Sequence, residues 1–316
     1  MKSMRVVVTG SAGALGSHMV ERLKDEGHSV IGIDAFTDYY DPSDKHRTAA
    51  ELLKKGIETR EADLATADLS LCISNDTEFI LHFAAQPGIS ATVSFETYER
   101  NNILATARLL EFASKLPKLS GLIFISTSSV YGIQAVGNEE NEPRPTSFYG
   151  VTKLGAEQLV LSYSRRDILP TAVARLFSVY GERERPDKLF RKLIAAIDTG
   201  MSIPLYEGSR EHRRSFSYVK DIIDGLSKMI EQWDKCRGEI FNLGTDETHT
   251  TGEGIDLIEK IMNKKGKYVL TPPRSGDQKE TAADISKARL VLGYEPKVSL
   301  EEGLTHEVDW YRSIHP

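Results

Sequence analysis

From position 5 to position 176 the chain alternates short runs of β-branched and aromatic residues with longer segments whose apolar positions recur at helical spacing. That alternation is the mark of a parallel sheet covered by helices on both faces. It predicts strands at 5–9, 29–34, 57–61, 79–83, 122–126 and 171–176. Helices are expected between them, most clearly at 15–26, where Gly27 supplies a stop, at 98–115, ending before Pro117, and at 149–165. The predicted fold is α/β, a doubly wound parallel sheet. After Tyr180 the texture changes to charged loops and Gly/Pro punctuation around shorter elements. Residues 1–180 are therefore expected to form one lobe and 181–316 a smaller C-terminal, substrate-binding lobe. Segments within 217–245 are patterned so that they could return to the first sheet, which would interleave the lobes. No internal repeat or Gly/Ser linker divides the chain, so a cleft between lobes is the expected ligand site.

Composition narrows the function classes. With 40% apolar and 27% charged residues and only 12 prolines in 316, the chain is expected to bury a sizeable core, in about two folded units. No apolar run approaches the ~18 residues of a membrane span. The start, Met1 to Arg5, leads into only three valines, short of the ~7 to 15 apolar residues of a signal peptide, so a cytoplasmic location is expected. Cys72 and Cys236 are isolated and read as reduced thiols, with no metal site implied. Forty basic against 46 acidic residues give a net charge of −6, which disfavours a nucleic-acid surface.

Val6-Val7-Val8-Thr9-Gly10-Ser11-Ala12-Gly13-Ala14-Leu15-Gly16 is an apolar strand running into a glycine turn and a helix. Gly10 allows the tight turn, Gly13 lets the backbone approach a phosphate, and Gly16 lets the helix pack near the strand. The helix amino terminus then offers N–H donors to a pyrophosphate. Asp34 ends the second strand 18 residues past Gly16, close to the ~20 expected for an acid that bonds the adenosine ribose. An acid there repels a 2′-phosphate and favours NAD over NADP. The lobe is accordingly expected to be a Rossmann-type one. Asp63, beside Leu64, could accept from the adenine amino group or simply cap a helix.

Tyr149 and Lys153 lie four residues apart at the start of a helix and share a face. A phenol with a reference pKa near 10 becomes a useful base if nearby positive charge depresses that value. The lysine ammonium is expected to supply it, together with a cationic nicotinamide. Thr127, at the end of the fifth strand, can hydrogen-bond the same substrate hydroxyl.

These motifs, with Val130-Tyr131-Gly132 after Thr127, resemble the extended short-chain dehydrogenase/reductase family, specifically nucleotide-sugar epimerases and dehydratases. The resemblance implies a bound NAD that takes a hydride from carbon 4 of a nucleoside-diphosphate sugar, while Tyr149 removes the hydroxyl proton and Lys153 holds the ribose. The dinucleotide contacts it implies are Gly10, Gly13, Ala14, Leu15, Gly16, Asp34, Asp63, Leu64 and Ala84, besides Tyr149 and Lys153. The segments 34–42, 82–88 and 175–181 are similar to UDP-glucuronate 4-epimerases. There Ser178 and Arg185 correspond to residues that meet the sugar carboxylate, although Arg185 could instead belong to a solvated charged run, Glu182-Arg183-Glu184-Arg185. Gln86, Gly88 and Lys192 are further expected substrate contacts. Arg214 and Arg274 are implied at the pyrophosphate, or else are surface charges, and Asn102 is implied to order the sugar region or the catalytic helix.

Ser128 and Ser129 stand where dehydratases of the family carry an acidic pair and UDP-glucuronate decarboxylases a glutamate. This favours epimerisation without net redox change. Ser90, Lys192 and Glu182 depart from the subgroup's usual residues, so the sugar could instead be a neutral UDP-hexose. The same motifs would also serve a UDP-glucuronate decarboxylase or a non-catalytic dinucleotide sensor or assembly subunit. His18, His82 and His212 receive no role. The family also implies a homodimer built from helices near 102–113 and 152–163.

Overall fold

The computed structural model describes residues 2–90, 92–272 and 280–315. Seven parallel strands form the main sheet, in the order Ile240–Leu243, Thr171–Leu176, Gly121–Thr127, Phe79–His82, Arg5–Thr9, Ser29–Asp34 and Glu58–Glu61. All the pairings are parallel. Strands Phe79–His82 and Gly121–Thr127 are buried at every position because helices cover both faces. Apolar clusters fill the two layers: Val6, Val8, Leu81 and Ile123 on one face, Val7, Ile80, Leu122 and Phe124 on the other.

The chain runs outward from Arg5–Thr9 through Ser29–Asp34 to Glu58–Glu61, then returns to the other side of the first strand at Phe79–His82. At such a reversal the connections leave in opposite directions and open a crevice at the carboxyl ends of the strands. Thr9 and His82 end the two strands that flank it, and their side chains bond each other at 2.7 Å.

Strands at 5–9, 29–34 and 171–176 have the predicted bounds. The helix expected at 98–115 begins earlier, at Phe95, where Ser94 caps the Thr97 N–H, and it widens into a π-helical turn over Glu99–Leu104. Strand Ile240–Leu243 joins the main sheet beside Thr171–Leu176. Helix Val219–Glu231 returns as well: Asp224 faces Arg22, and Ser227 donates to Glu26 on helix Ala14–Asp25. The other described strands form small sheets. One of them joins Gln134–Gly137 to Glu280–Ala283, and another pairs Ser202–Tyr206 with Lys267–Thr271.

Candidate active site

The glycine turn is shaped by clearance. Gly10 has φ +71°, and a Cβ there would lie 2.8 Å from the Ala84 nitrogen. A Cβ on Gly16 would sit 2.2 Å from the Gly10 carbonyl oxygen, so only hydrogen fits. Helix Ala14–Asp25 starts after Gly13 with no side chain capping it. Its first N–H groups therefore lack an intrahelical partner and face a cavity of about 680 Å³ lined by Gly13, Ala14 and Leu15. Asp34 lies on the same wall. Its Oδ2 accepts from the Ala12 N–H at 3.0 Å and its Oδ1 from the Phe36 N–H at 2.9 Å.

Helix Phe148–Arg165 opens the other half of the cavity. Ser147 caps it by accepting from the Gly150 N–H at 3.1 Å, which fixes Tyr149 in the first turn and Lys153 one turn on. Both line the cavity with Thr127, Ser128 and Ser129. Burial raises the Tyr149 phenol above its ordinary pKa, while a hydrogen bond with Thr127 and the charge of Arg185 pull it down. Lys153 sits with Nζ 4.0 Å from the centre of the Phe124 ring, and burial pushes its pKa down to about 7 against the opposing pull of Glu157.

Across the cavity, Arg185 donates through Nε and Nη2 to the two oxygens of Asp187, both at 2.9 Å, and its guanidinium lies 5.7 Å from the Tyr39 ring centre. Gly88 lies beneath it at φ +80°, where a Cβ would come within 2.9 Å of Nη2. Ser178 also lines the wall, at φ +33° and 3.4 Å from the Thr281 hydroxyl. A strand-to-helix glycine turn and a Tyr/Lys helix thus share one enclosed space.

Residues 6–244 match the family model of the NAD dependent epimerase/dehydratase family. The chain belongs to that family. The Bacillus subtilis (strain 168) protein described as uncharacterized UDP-glucose epimerase YtcB is 36% identical over 317 residues, with 99% of each chain covered. UDP-glucuronate 4-epimerase 4 of Arabidopsis thaliana is 32% identical over 330 residues, which cover 98% of this chain and 76% of that protein. Among solved structures, the UDP-glucuronic acid 4-epimerase from Bacillus cereus in complex with UDP-glucuronic acid and NAD superposes with a TM-score of 0.92 at 35% identity, covering 98% of this chain and 100% of that one.

The residues present fit the dinucleotide that gives this epimerase/dehydratase family its name. The uncapped helix, the hydrogen-only clearances and an acid at Asp34 suit it. Gln86 also lines the cavity, with its Nε2 buried and without a partner among the described residues. Leu64 and Ala84 line the same end. Asp63 does too, but its carboxylate is engaged: Oδ1 accepts from the Ala65 N–H at 2.9 Å, a local cap, and Oδ2 from Arg100 at 2.5 Å.

Three of the expected residues have partners that the structure specifies. Lys153 packs over Phe124, and in the protein alone the charge of Arg185 pulls on the Tyr149 phenol. Asn102 does not line the cavity. It is buried, accepts from the Gln86 N–H at 2.7 Å and donates to Thr152 at 3.0 Å, stapling the 86–88 loop to the Tyr149 helix. Arg185 is no member of a solvated run, since its side chain is only 17% exposed. Lys192 is exposed at the cavity rim, Arg214 lines the cavity, and Arg274 lies outside the described residues.

Sequence reasoning missed several residues of the cavity lining, among them Tyr39, Asp187, Ile203 to Tyr206 and Phe216. The alternation of buried Ile203 and Leu205 with exposed neighbours was the available signal for that strand. His18 and His82 are structural: His18 meets the Glu182 carbonyl at 3.0 Å, and His82 is held between Thr9 and Thr106.

Proposed function

We propose that this chain is an NAD-dependent UDP-sugar 4-epimerase whose preferred reaction converts UDP-glucuronate to UDP-galacturonate. The observation that carries the reading is the arrangement of Thr127, Tyr149, Ser178 and Arg185 around one cavity that also contains the glycine turn. Gly10 to Gly16, Asp34, Leu64 and Ala84 would hold NAD, which when bound supplies a hydride acceptor and donor for the sugar carbon. Tyr149 takes the proton from the 4-hydroxyl and later returns one, and Thr127 orients that hydroxyl. The 4-keto sugar turns over in the cavity between the two half-reactions.

Arg185 and Ser178 are assigned to the sugar carboxylate, a fork and a hydroxyl suited to that group. A 4-keto uronate is a β-keto acid, so these contacts would also hold the carboxylate away from the orientation that releases carbon dioxide. Ser128 and Ser129 offer no acid for elimination. Arg214 is assigned to the pyrophosphate, and Gln86 and Gly88 to the sugar wall. Residues 181–316, less the segments of 217–245 that return to the main sheet, would form the nucleotide-sugar lobe. We further propose that the chain is cytoplasmic and works as a homodimer. No helix among the described residues is long and apolar enough to cross a membrane. Apolar side chains such as Leu104 and Val151 stand exposed on the helical segments 95–113 and 148–165.

One observation favours a neutral UDP-hexose instead, namely that Asp187 already occupies two donors of Arg185. Nuclear magnetic resonance of incubations with each sugar nucleotide separates the two. Turnover of UDP-glucuronate without UDP-pentose supports the proposal, and turnover of UDP-glucose alone rejects it. Arg185→Ala should impair the acid far more than the neutral sugar.

A further inference from the structure

The run Glu182-Arg183-Glu184-Arg185 sends its side chains in separate directions. Glu182 accepts from Tyr218 at 2.9 Å and pairs with Lys220 at 2.9 Å. Glu184 is buried and accepts from the Arg191 N–H at 3.3 Å. Arg185 enters the cavity wall. Arg183 turns the opposite way, onto helix Ala14–Asp25. There its Nη1 and Nη2 donate to the two oxygens of Glu21 at 2.9 and 3.0 Å, with side chains only 13% and 15% exposed. One turn earlier on that helix, the His18 ring nitrogen meets the carbonyl of Glu182 at 3.0 Å.

Arg183 also has φ +62°, a left-handed backbone that a branched or long side chain adopts only when its surroundings hold it. Joined by a longer contact of 3.5 Å from Nη2 to Glu51 on helix Ser43–Lys54, a forked ion pair and a carbonyl contact from helix Ala14–Asp25 hold it. The backbone reversal they fix determines where the chain points two residues later, at Arg185. The same helix begins with the glycine turn, so the cofactor end and the sugar-acid end of the cavity are referenced to a single rigid element.

We infer that Arg183, bracketed by Glu21, is a positioning residue that aims Arg185 into the cavity and thereby sets the preference for an acidic over a neutral UDP-sugar. This rests on the assignment of Arg185 to the sugar carboxylate. Asp187 lies on the same loop as Arg185, so that local pair ties neither residue to the opposite helix.

The test compares wild type, Arg185→Ala, Arg183→Gln, Glu21→Gln and Arg183→Lys for kcat and KM with UDP-glucuronate and UDP-glucose, alongside NAD affinity and melting temperature. Arg183→Gln and Glu21→Gln should each raise KM for UDP-glucuronate about tenfold, the scale of a displaced binding group. KM for UDP-glucose and NAD affinity should stay within about twofold, and Arg183→Lys should recover part of the loss. If Arg185→Ala collapses the acid-to-neutral ratio while Arg183→Gln and Glu21→Gln leave it intact, the bracket is overturned and the carboxylate assignment stands. Equal losses for both sugars and NAD, tracking melting temperature, would overturn it too. If Arg185→Ala leaves the ratio unchanged, the carboxylate assignment itself fails, and the inference with it.

Discussion

Glu157→Gln removes one charge from an ion pair sealed beneath the Tyr149 helix. Glu157 and Arg175 are 0% and 2% exposed, with Arg175 Nη2 2.5 Å from Oε1 and Nε 3.1 Å from Oε2. Ser126 donates to Oε2 at 2.9 Å, and Arg175 also donates to the Tyr131 hydroxyl at 2.8 Å. Glutamine preserves the shape but presents an amide NH₂ to a guanidinium and leaves a buried cation uncompensated. Breaking such a pair from one side costs about 3–5 kcal/mol, a large share of the ~5–15 kcal/mol that holds a typical fold. The substitution has a second effect. Burial pushes Lys153 down to about 7, and the Glu157 charge opposes that push. Without it Lys153 falls further and is mostly neutral at pH 7, so a reaction that needs the cation retreats to lower pH. Urea unfolding at pH 7 reads the first effect and the pH dependence of kcat reads the second. Pairing Glu157→Leu with Arg175→Met should restore much of the stability but not the pH profile. A loss under about 1 kcal/mol with an unchanged profile would refute both the burial argument and the coupling to Lys153.

Tyr149→Phe should retain NAD yet lose ~100-fold or more in turnover, the scale of a missing general base; single-turnover kinetics beside cofactor titration checks this, and full activity removes the phenol from the chemistry. Gly16→Ala drives a Cβ against a backbone oxygen that cannot rotate away. It should cost about 1–3 kcal/mol in thermal unfolding and weaken NAD binding. For Glu21, burial works against the charge, but Arg183 and Lys55 overcome it and hold the carboxyl at about 2. The stability it contributes is therefore complete above its unfolded value of 4.5 and lost as pH falls through 2. Acid unfolding of Glu21→Gln should accordingly converge with wild type at low pH; a gap that stays constant with pH contradicts the ion-pair account.

The cofactor half of the site is legible in the sequence because its demands are local. A turn that needs φ +71° at Gly10 and hydrogen-only clearance at Gly16 writes itself as glycines between a strand and a helix. The strands at 5–9 and 171–176 were equally plain, since burial on both faces requires nearly continuous apolar runs. The sugar end is not written locally. Tyr39, Asp187, Ile203 and His212 reach the cavity from separate elements, and no spacing rule links them. Lys153 shows a different limit. The four-residue offset from Tyr149 was visible, but the burial that lowers its pKa, and the Phe124 ring it packs over, depend on tertiary structure. Asn102 was marked only by the family resemblance; its partners, Gln86 and Thr152, are brought to it by the π-helical turn.

The central claim is that hydrogen leaves carbon 4 and comes back to the other face without exchanging with water. Incubating the purified protein with UDP-glucuronate in heavy water and following carbon 4 by nuclear magnetic resonance tests it directly. The account predicts UDP-galacturonate with ordinary hydrogen retained at carbon 4. Deuterium at that carbon, or no epimer with any UDP-sugar, would contradict it.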